Sequence, residues 1–302
     1  MNLKTTVAGV EFKNPIIAAS GTFGFGREYN EFYDVGLLGG ISSKGLTLEP
    51  RRGNPPVRIA ETPSGMLNSV GLQNPGVEHF IEYELPFMRG LGTVVIANAA
   101  GSSESDYVRI VEILSGADVD MIELNISCPN VKAGGMAFGV APEGVEHIVR
   151  AVRKACKKPL IVKLTPNVSN IADNARAAER AGADAISLIN TVAGMAVDFK
   201  KRKPVLGVVG GGLSGACVKP IALRMVHECY KAVKIPIIGM GGIMCGEDAG
   251  EFMLCGAAAV QVGTANILDP FAALTIVNEL TKLCERDNIS DVRTLIGGLS
   301  LE

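Results

Sequence analysis

None of the seven cysteines forms a CxxC pair, so the spacing needed for a disulfide framework or a cysteine-held zinc or iron–sulfur site is missing. No apolar run approaches the roughly 18 residues of a membrane-spanning helix. The first residues, MNLKTTVAGVEF, lack the apolar stretch of a secretory signal. There is no block of one charge sign and the net charge is only -2, which argues against nucleic acid as a partner. The short basic run Lys200, Lys201, Arg202 and Lys203 reads as a solvated loop. The GxGxxG turn with a following acid, used by dinucleotide folds, is absent as well. Together these absences point to a cytoplasmic protein with no membrane association. Any redox chemistry then falls to a bound organic cofactor or an isolated thiol.

With 302 residues, 47% of them apolar and 20% charged, the chain is long enough for one large domain, expected over residues 1–302. Eight short apolar segments, many of them β-branched, recur at 16–20, 39–44, 94–98, 121–127, 160–165, 185–190, 235–239 and 259–263. Their continuous rather than alternating apolar character suits parallel strands covered on both faces. Helical stretches are expected at 142–155, 172–181, 220–232 and 247–255, with Pro142 suited to a first turn and Gly182 to a stop. The expected fold is therefore α/β, a (β/α)8 TIM barrel, ahead of an open doubly wound sheet. Two segments break the rhythm: residues 49–80, with five prolines, and the glycine-rich residues 193–219. Following the second and sixth strands, they are read as insertions at the C-terminal mouth, where barrel enzymes place their chemistry.

The strand ends carry polar groups. Reading past each apolar run supplies Ser20, Lys44, Asn98, Asn125, Cys128, Lys163 and Asn190, all of which a barrel would turn toward one pocket. Any one asparagine or lysine could simply cap a turn or face water. The set is costly to bury unless it binds something polar and anion-tolerant. The last two strand ends, GMGGI (239–243) and VGTA (262–265), are glycine turns of the kind whose free N–H groups favour a phosphate. Close helix–strand packing is the alternative reason for those glycines. A mononucleotide such as FMN fits this pattern better than NAD.

At ELNISCPN (123–130) and NSVGLQNPG (68–76) the chain resembles class 1 dihydroorotate dehydrogenases, FMN-containing barrels that oxidise dihydroorotate to orotate. The match continues through SSKG (42–45), VKLTPN (162–167), INT (189–191), GGLSG (211–215), GMGGI and VGTA, nearly the whole chain. The segment GGLSGACVKPIALRMVHE (211–228) is most similar to class 1B. In that subgroup the catalytic chain pairs with an electron-transfer subunit carrying FAD and a 2Fe-2S cluster and passes electrons to NAD⁺. Class 2 enzymes differ in using serine as base and in carrying an N-terminal membrane extension.

The resemblance implies that Ser20, Lys44, Gly45, Asn98, Asn125, Lys163, Ile189, Gly215, Gly241, Gly242, Gly263 and Thr264 hold FMN. It implies that substrate meets Lys44, Asn68, Ser69, Val70, Gly71, Leu72, Asn125, Asn190 and Thr191. Cys128 is expected to take the C5 proton while a hydride leaves C6 for the flavin. The other six cysteines are expected to be small packing residues. His79, His147 and His227 lie away from the strand ends and are read as surface or packing residues, with no metal. The implied assembly is a homodimer core within a heterotetramer of two copies of each chain. The rival readings are a class 1A enzyme that reduces fumarate without a partner, a dihydropyrimidine or dihydrouridine oxidoreductase, and a non-redox phosphate-binding synthase or isomerase. The last would purify colourless.

Overall fold

The computed structural model describes residues 1–127 and 138–300. Eight strands form the barrel: β1 (Ile16–Ala18), β2 (Gly40–Ser42), β3 (Val94–Ala99), β4 (Met121–Asn125), β5 (Leu160–Lys163), β6 (Ala185–Leu188), β7 (Ile237–Met240) and β8 (Ala257–Val262). Each pairs in parallel with its neighbours and the circle closes between β8 and β1. Each of the eight apolar segments overlaps one of these strands. The seventh strand starts later than the apolar run does, after Pro236, which has no N–H for a ladder.

The four anticipated helices are present as Pro142–Arg153, Ile171–Arg180, Lys219–Ala232 and Gly246–Leu254. Local chemistry sets their ends. Pro142 opens its helix where a missing N–H costs nothing, and the Asn170 side chain accepts from Ala172 N–H at the start of the next. Gly182, at φ 99°, takes the left-handed turn that ends it. No helix is long and apolar enough to cross a membrane among the described residues.

Strand alternation sorts the side chains into shells. Ile16, Ile41, Val95, Ile122, Leu124, Leu160, Val162, Ile186, Leu188, Val260 and Val262 face outward into the main core beneath the helices. Inward, a second apolar cluster makes a floor of Ile17, Ile96, Met121, Ile161, Ala185, Ile238 and Ala259, packed against Val7 and Phe12 of the hairpin Thr5–Val7 and Val10–Phe12. Two residues further along the strands the inward positions turn polar: Ser42, Asn98, Glu123, Lys163, Ser187 and Gln261, all buried. The barrel is therefore dry at its base and polar toward its C-terminal end.

The two insertions form one structure. Val192–Gly194, Gly211–Ser214, Gly65–Asn68 and Ile59–Thr62 pair in that order as a four-stranded antiparallel sheet. The basic run lies in and beside the turn between Val197–Asp198 and Lys203–Pro204, where Lys201 Nζ sits 3.4 Å from the Asp198 carboxylate.

Candidate active site

Glu123 lies at the centre of the polar layer and has no solvent exposure. One carboxylate oxygen accepts from Ser187 Oγ at 2.7 Å and Gln261 Nε2 at 2.8 Å. The other accepts from Asn98 Nδ2 and from Ser42 Oγ at 3.3 Å, with Lys163 Nζ at 3.5 Å. Burial works against its charge, but Lys163 and the hydrogen bonds from Ser187, Gln261 and Asn98 outweigh it and hold the carboxyl below the ordinary range. A buried charge stripped of these partners would cost several kcal/mol, roughly 3–5. Strands β2, β3, β4, β5, β6 and β8 thus each contribute one group to the network.

From this layer a chain of hydrogen bonds climbs toward the mouth. Asn98 Oδ1 accepts from Asn125 Nδ2 at 3.3 Å, and Asn125 Oδ1 accepts from Ser127 Oγ at 2.7 Å. Ser127 Oγ in turn accepts from Asn190 Nδ2, whose Oδ1 takes the Thr191 N–H at 2.8 Å. Asn167 braces this end by donating to the Thr191 carbonyl and to Thr165 Oγ1, each at 3.0 Å. Just past the end of β2, burial pushes the Lys44 ammonium below its ordinary pKa. A Cβ on Gly45 would meet Leu72 Cδ1 at 2.8 Å and Asn98 Oδ1 at 3.0 Å, so glycine there brings the insertion down onto the layer.

Residues 68–72 are pinned from below and behind. Asn54 N–H donates to the Val70 carbonyl at 3.0 Å, Asn54 Nδ2 donates to the Ser69 carbonyl at 3.0 Å, and Asn68 Nδ2 reaches the Gly212 carbonyl at 3.3 Å. Gly71 and Leu72 both take positive φ, 75° and 58°, and a Cβ on Gly71 would lie 2.5 Å from Asn54 N. The Ser69 hydroxyl is buried without a partner among the described residues. Asn74 clamps the far end: its Oδ1 accepts from Thr47 N and Gly76 N, and its Nδ2 donates to the Leu72 carbonyl. Replacing Asn74 with alanine strands these buried groups and is expected to cost about 1–3 kcal/mol. Chemical denaturation would measure that loss, and substrate KM should rise because residues 68–72 lose their anchor.

The closing glycine turns divide into two kinds. Gly241 and Gly242 have φ of 114° and 90°, and a Cβ would come within 3.0 Å of Ile189 Cγ1 and 2.7 Å of Lys219 N respectively. Close packing of the chain on itself explains both. The helix after this turn begins only at Gly246, so the turn does not lead straight into it. A Cβ on Gly215, at φ 100°, would likewise lie 2.9 Å from Gly65 Cα. At Gly263, by contrast, a Cβ would find its nearest neighbour, Ala19 Cβ, at 3.7 Å. Thr264 next to it donates to Ser214 Oγ at 2.8 Å, tying the end of β8 to the insertion sheet. Ser20 lies past β1, half-buried, and Ile189 is buried just past β6.

Cys128 lies outside the described residues. The remaining cysteines are free thiols, with Cys156, Cys229 and Cys284 buried. Burial pushes Cys229 up to about 12 and raises Cys156, Cys245, Cys255 and Cys284. His147 contacts Glu104 at 2.6 Å on the surface and His79 packs on Tyr83. The sequence reading passed over Glu123, Ser187, Gln261, Ser42, Ser127 and Asn167. A signal for the first four was present: MIELN, AISL, AAAVQV and GIS each carry a polar residue at an inward position inside an otherwise apolar strand.

A barrel with the buried Lys163, the half-buried Lys44, an ionised carboxylate and an amide chain leading to its mouth defines an α/β-barrel protein suited to a polar, anionic ligand. The chain belongs to the dihydroorotate dehydrogenase family: the family model described as "Dihydroorotate dehydrogenase" matches residues 2–284. It is 56% identical over 299 residues to "Dihydroorotate dehydrogenase B (NAD(+)), catalytic subunit" of Alkaliphilus metalliredigens, covering 99% of both chains. Relatives of the same name from Caldicellulosiruptor saccharolyticus and Bacteroides thetaiotaomicron are 53% and 52% identical over 301 residues, covering 100% and 99% of both chains respectively.

Proposed function

We propose that this chain oxidises (S)-dihydroorotate to orotate in pyrimidine biosynthesis, as the FMN-binding catalytic subunit of the B type. The observation that carries the reading is Lys163. The residue is 4% exposed and its ammonium, among the described residues, has one anionic contact, Glu123 at 3.5 Å, in a layer below a mouth lined with amides. A cation fixed there suits a ligand that gains negative charge during reaction.

The donor set fits FMN. Lys163, Lys44 and Asn98 offer hydrogen-bond donors suited to the carbonyl edge of a flavin, and the open approach at Gly263 and Thr264 suits its phosphate. Ser20, Gly45, Asn125, Ile189, Gly215, Gly241 and Gly242 complete the proposed cofactor site. FMN supplies the hydride acceptor. The chain's own residues do the rest. Asn125, Asn190 and Thr191, with Lys44 and residues 68–72, would hold the pyrimidine ring by matching its alternating N–H and carbonyl groups. The Ser69 hydroxyl, buried without a partner among the described residues, fits that role. The substrate carboxylate would meet backbone N–H groups near Gly71 and Leu72. Cys128 would remove the C5 proton. Ser127 immediately before it is held from two sides by Asn125 and Asn190, which fixes the chain leading to the base.

Electrons would then leave through a partner subunit carrying FAD and a 2Fe-2S cluster to NAD⁺, in a cytoplasmic heterotetramer of two copies of each chain around a homodimer core. The name "catalytic subunit" borne by the relatives supports a partner. The test is an absorbance spectrum of the purified protein followed by anaerobic addition of dihydroorotate. Flavin bands that bleach on addition support the reading. Flavin that stays oxidised would move the substrate elsewhere, and a colourless protein that FMN does not reconstitute would end it.

A further inference from the structure

The network under the mouth has a direction. An ionised carboxylate can only accept hydrogen bonds, so Asn98 must turn its Nδ2 toward Glu123. That places Asn98 Oδ1 upward, where it can only receive a donor, so Asn125 must give its own Nδ2. Asn125 Oδ1 is then left facing Ser127, which donates its hydroxyl proton and accepts from Asn190. One group at the base therefore decides which end of each amide points where. The same carboxylate stands 3.5 Å from Lys163 and offsets part of its charge.

We propose that Glu123 is a positioning residue for the reaction: it sets the amide polarity of the Asn98–Asn125–Ser127–Asn190 chain that reads the pyrimidine ring, and it tempers the positive charge Lys163 presents to the cofactor. The inference rests on the flavin and dihydroorotate reading above. Glu123 is fully buried, is separated from the mouth by Asn98 and Asn125, and does not itself reach substrate. Its six-group layer spans strands from around the barrel, which is more than a stabilising pair requires. An isolated buried ion pair is usually no better than an apolar replacement, so a merely structural role gives little reason for a charge here.

The test is Glu123→Gln in the FMN-loaded protein. The variant can keep its contacts, because Gln261 Oε1 has no partner among the described residues and the Gln261 amide can turn over to receive the new N–H₂. With the new N–H₂ toward Gln261 its carbonyl still serves Asn98; with the N–H₂ toward Asn98, Asn98 must turn over, so the amide polarity is no longer fixed. Orotate affinity, read from the perturbation of the flavin spectrum, is expected to fall roughly tenfold as one hydrogen bond is mispaired. The flavin midpoint potential is expected to move to more positive values, because Lys163 loses its counter-charge. A fold-only role would move neither in a folded, yellow protein. The double variant Glu123→Gln with Gln261→Glu returns a carboxylate to the same hydrogen bond and leaves the carbonyl of the amide introduced at position 123 for Asn98. It should bind orotate within about threefold of wild type, and it serves if the single variant does not fold. Unchanged orotate affinity and potential in E123Q, or a double variant as impaired as the single, overturns the proposal. Failure of wild type to bind FMN or to respond to orotate would instead overturn the functional reading on which this rests.

Discussion

Cys128→Ala is expected to give a yellow, folded protein whose flavin is reduced by dihydroorotate roughly 10²–10⁴-fold more slowly than in wild type, the usual span for losing a positioned base. The flavin should stay because the proposed cofactor contacts come from the barrel strand ends and turns, not from this thiol. Stopped-flow reduction under anaerobic conditions would measure the effect directly. An ordinary thiol titrates near about 8.5, so only about 3% is thiolate at pH 7. Wild-type reduction should accordingly speed up about tenfold per pH unit below that value and level off above it. Five of the other cysteines do not offer a substitute: burial drives Cys229 up to about 12, and Cys156, Cys245, Cys255 and Cys284 are raised too. Normal reduction rates in Cys128→Ala would remove it as the base.

Lys163→Met should have the largest effect on the fold. The substitution keeps the stem and deletes the charge, leaving Glu123 fully buried with only neutral partners. Such half-broken pairs cost about 3–5 kcal/mol. The pH dependence gives the sign. In wild type, the Glu123 carboxyl is held below its ordinary value. Its contribution to stability is therefore present above the unfolded pKa of about 4.3 and is lost as pH falls through the folded value. Without Lys163, burial dominates and the carboxyl moves up. The native state then prefers the protonated form, and stability declines as pH rises through about 4.3 toward the raised value. Thermal melts of the two proteins should therefore lie closest at acid pH and diverge toward neutrality. A gap that is constant with pH would show that Lys163 does not neutralise Glu123. FMN affinity should fall in the same variant, since a proposed cofactor contact is lost.

The barrel was legible because each strand is a continuous apolar run with its own flanking turns, and a parallel strand packed on both faces has little room for anything else. The helix that Pro142 opens and the one that Gly182 ends were legible to within a few residues because these two residues act locally. Glu123 was harder. In MIELN one acid among apolar neighbours looks like an interruption, and its meaning depends on Lys163, Ser187 and Gln261 arriving from other strands. Ser187 and Gln261 stand 64 and 138 residues further along the chain, and barrel closure is what brings them to it. At Gly241 and Gly242 self-packing is by itself sufficient reason for the missing side chain.

The sequence by itself determined the strand count, the parallel barrel, the position of both insertions and the family. All of these rest on local hydrophobicity, turn chemistry and motif order. Only the tertiary structure decided that the two insertions pair into one sheet, joining Asn68 to Gly212. It alone also decided that six strands pool their inward polar residues around Glu123 and that this carboxylate orients the amides above it. Hydrogen-bond direction belongs to a closed set of neighbours, and the barrel brings that set together from segments that share no local pattern.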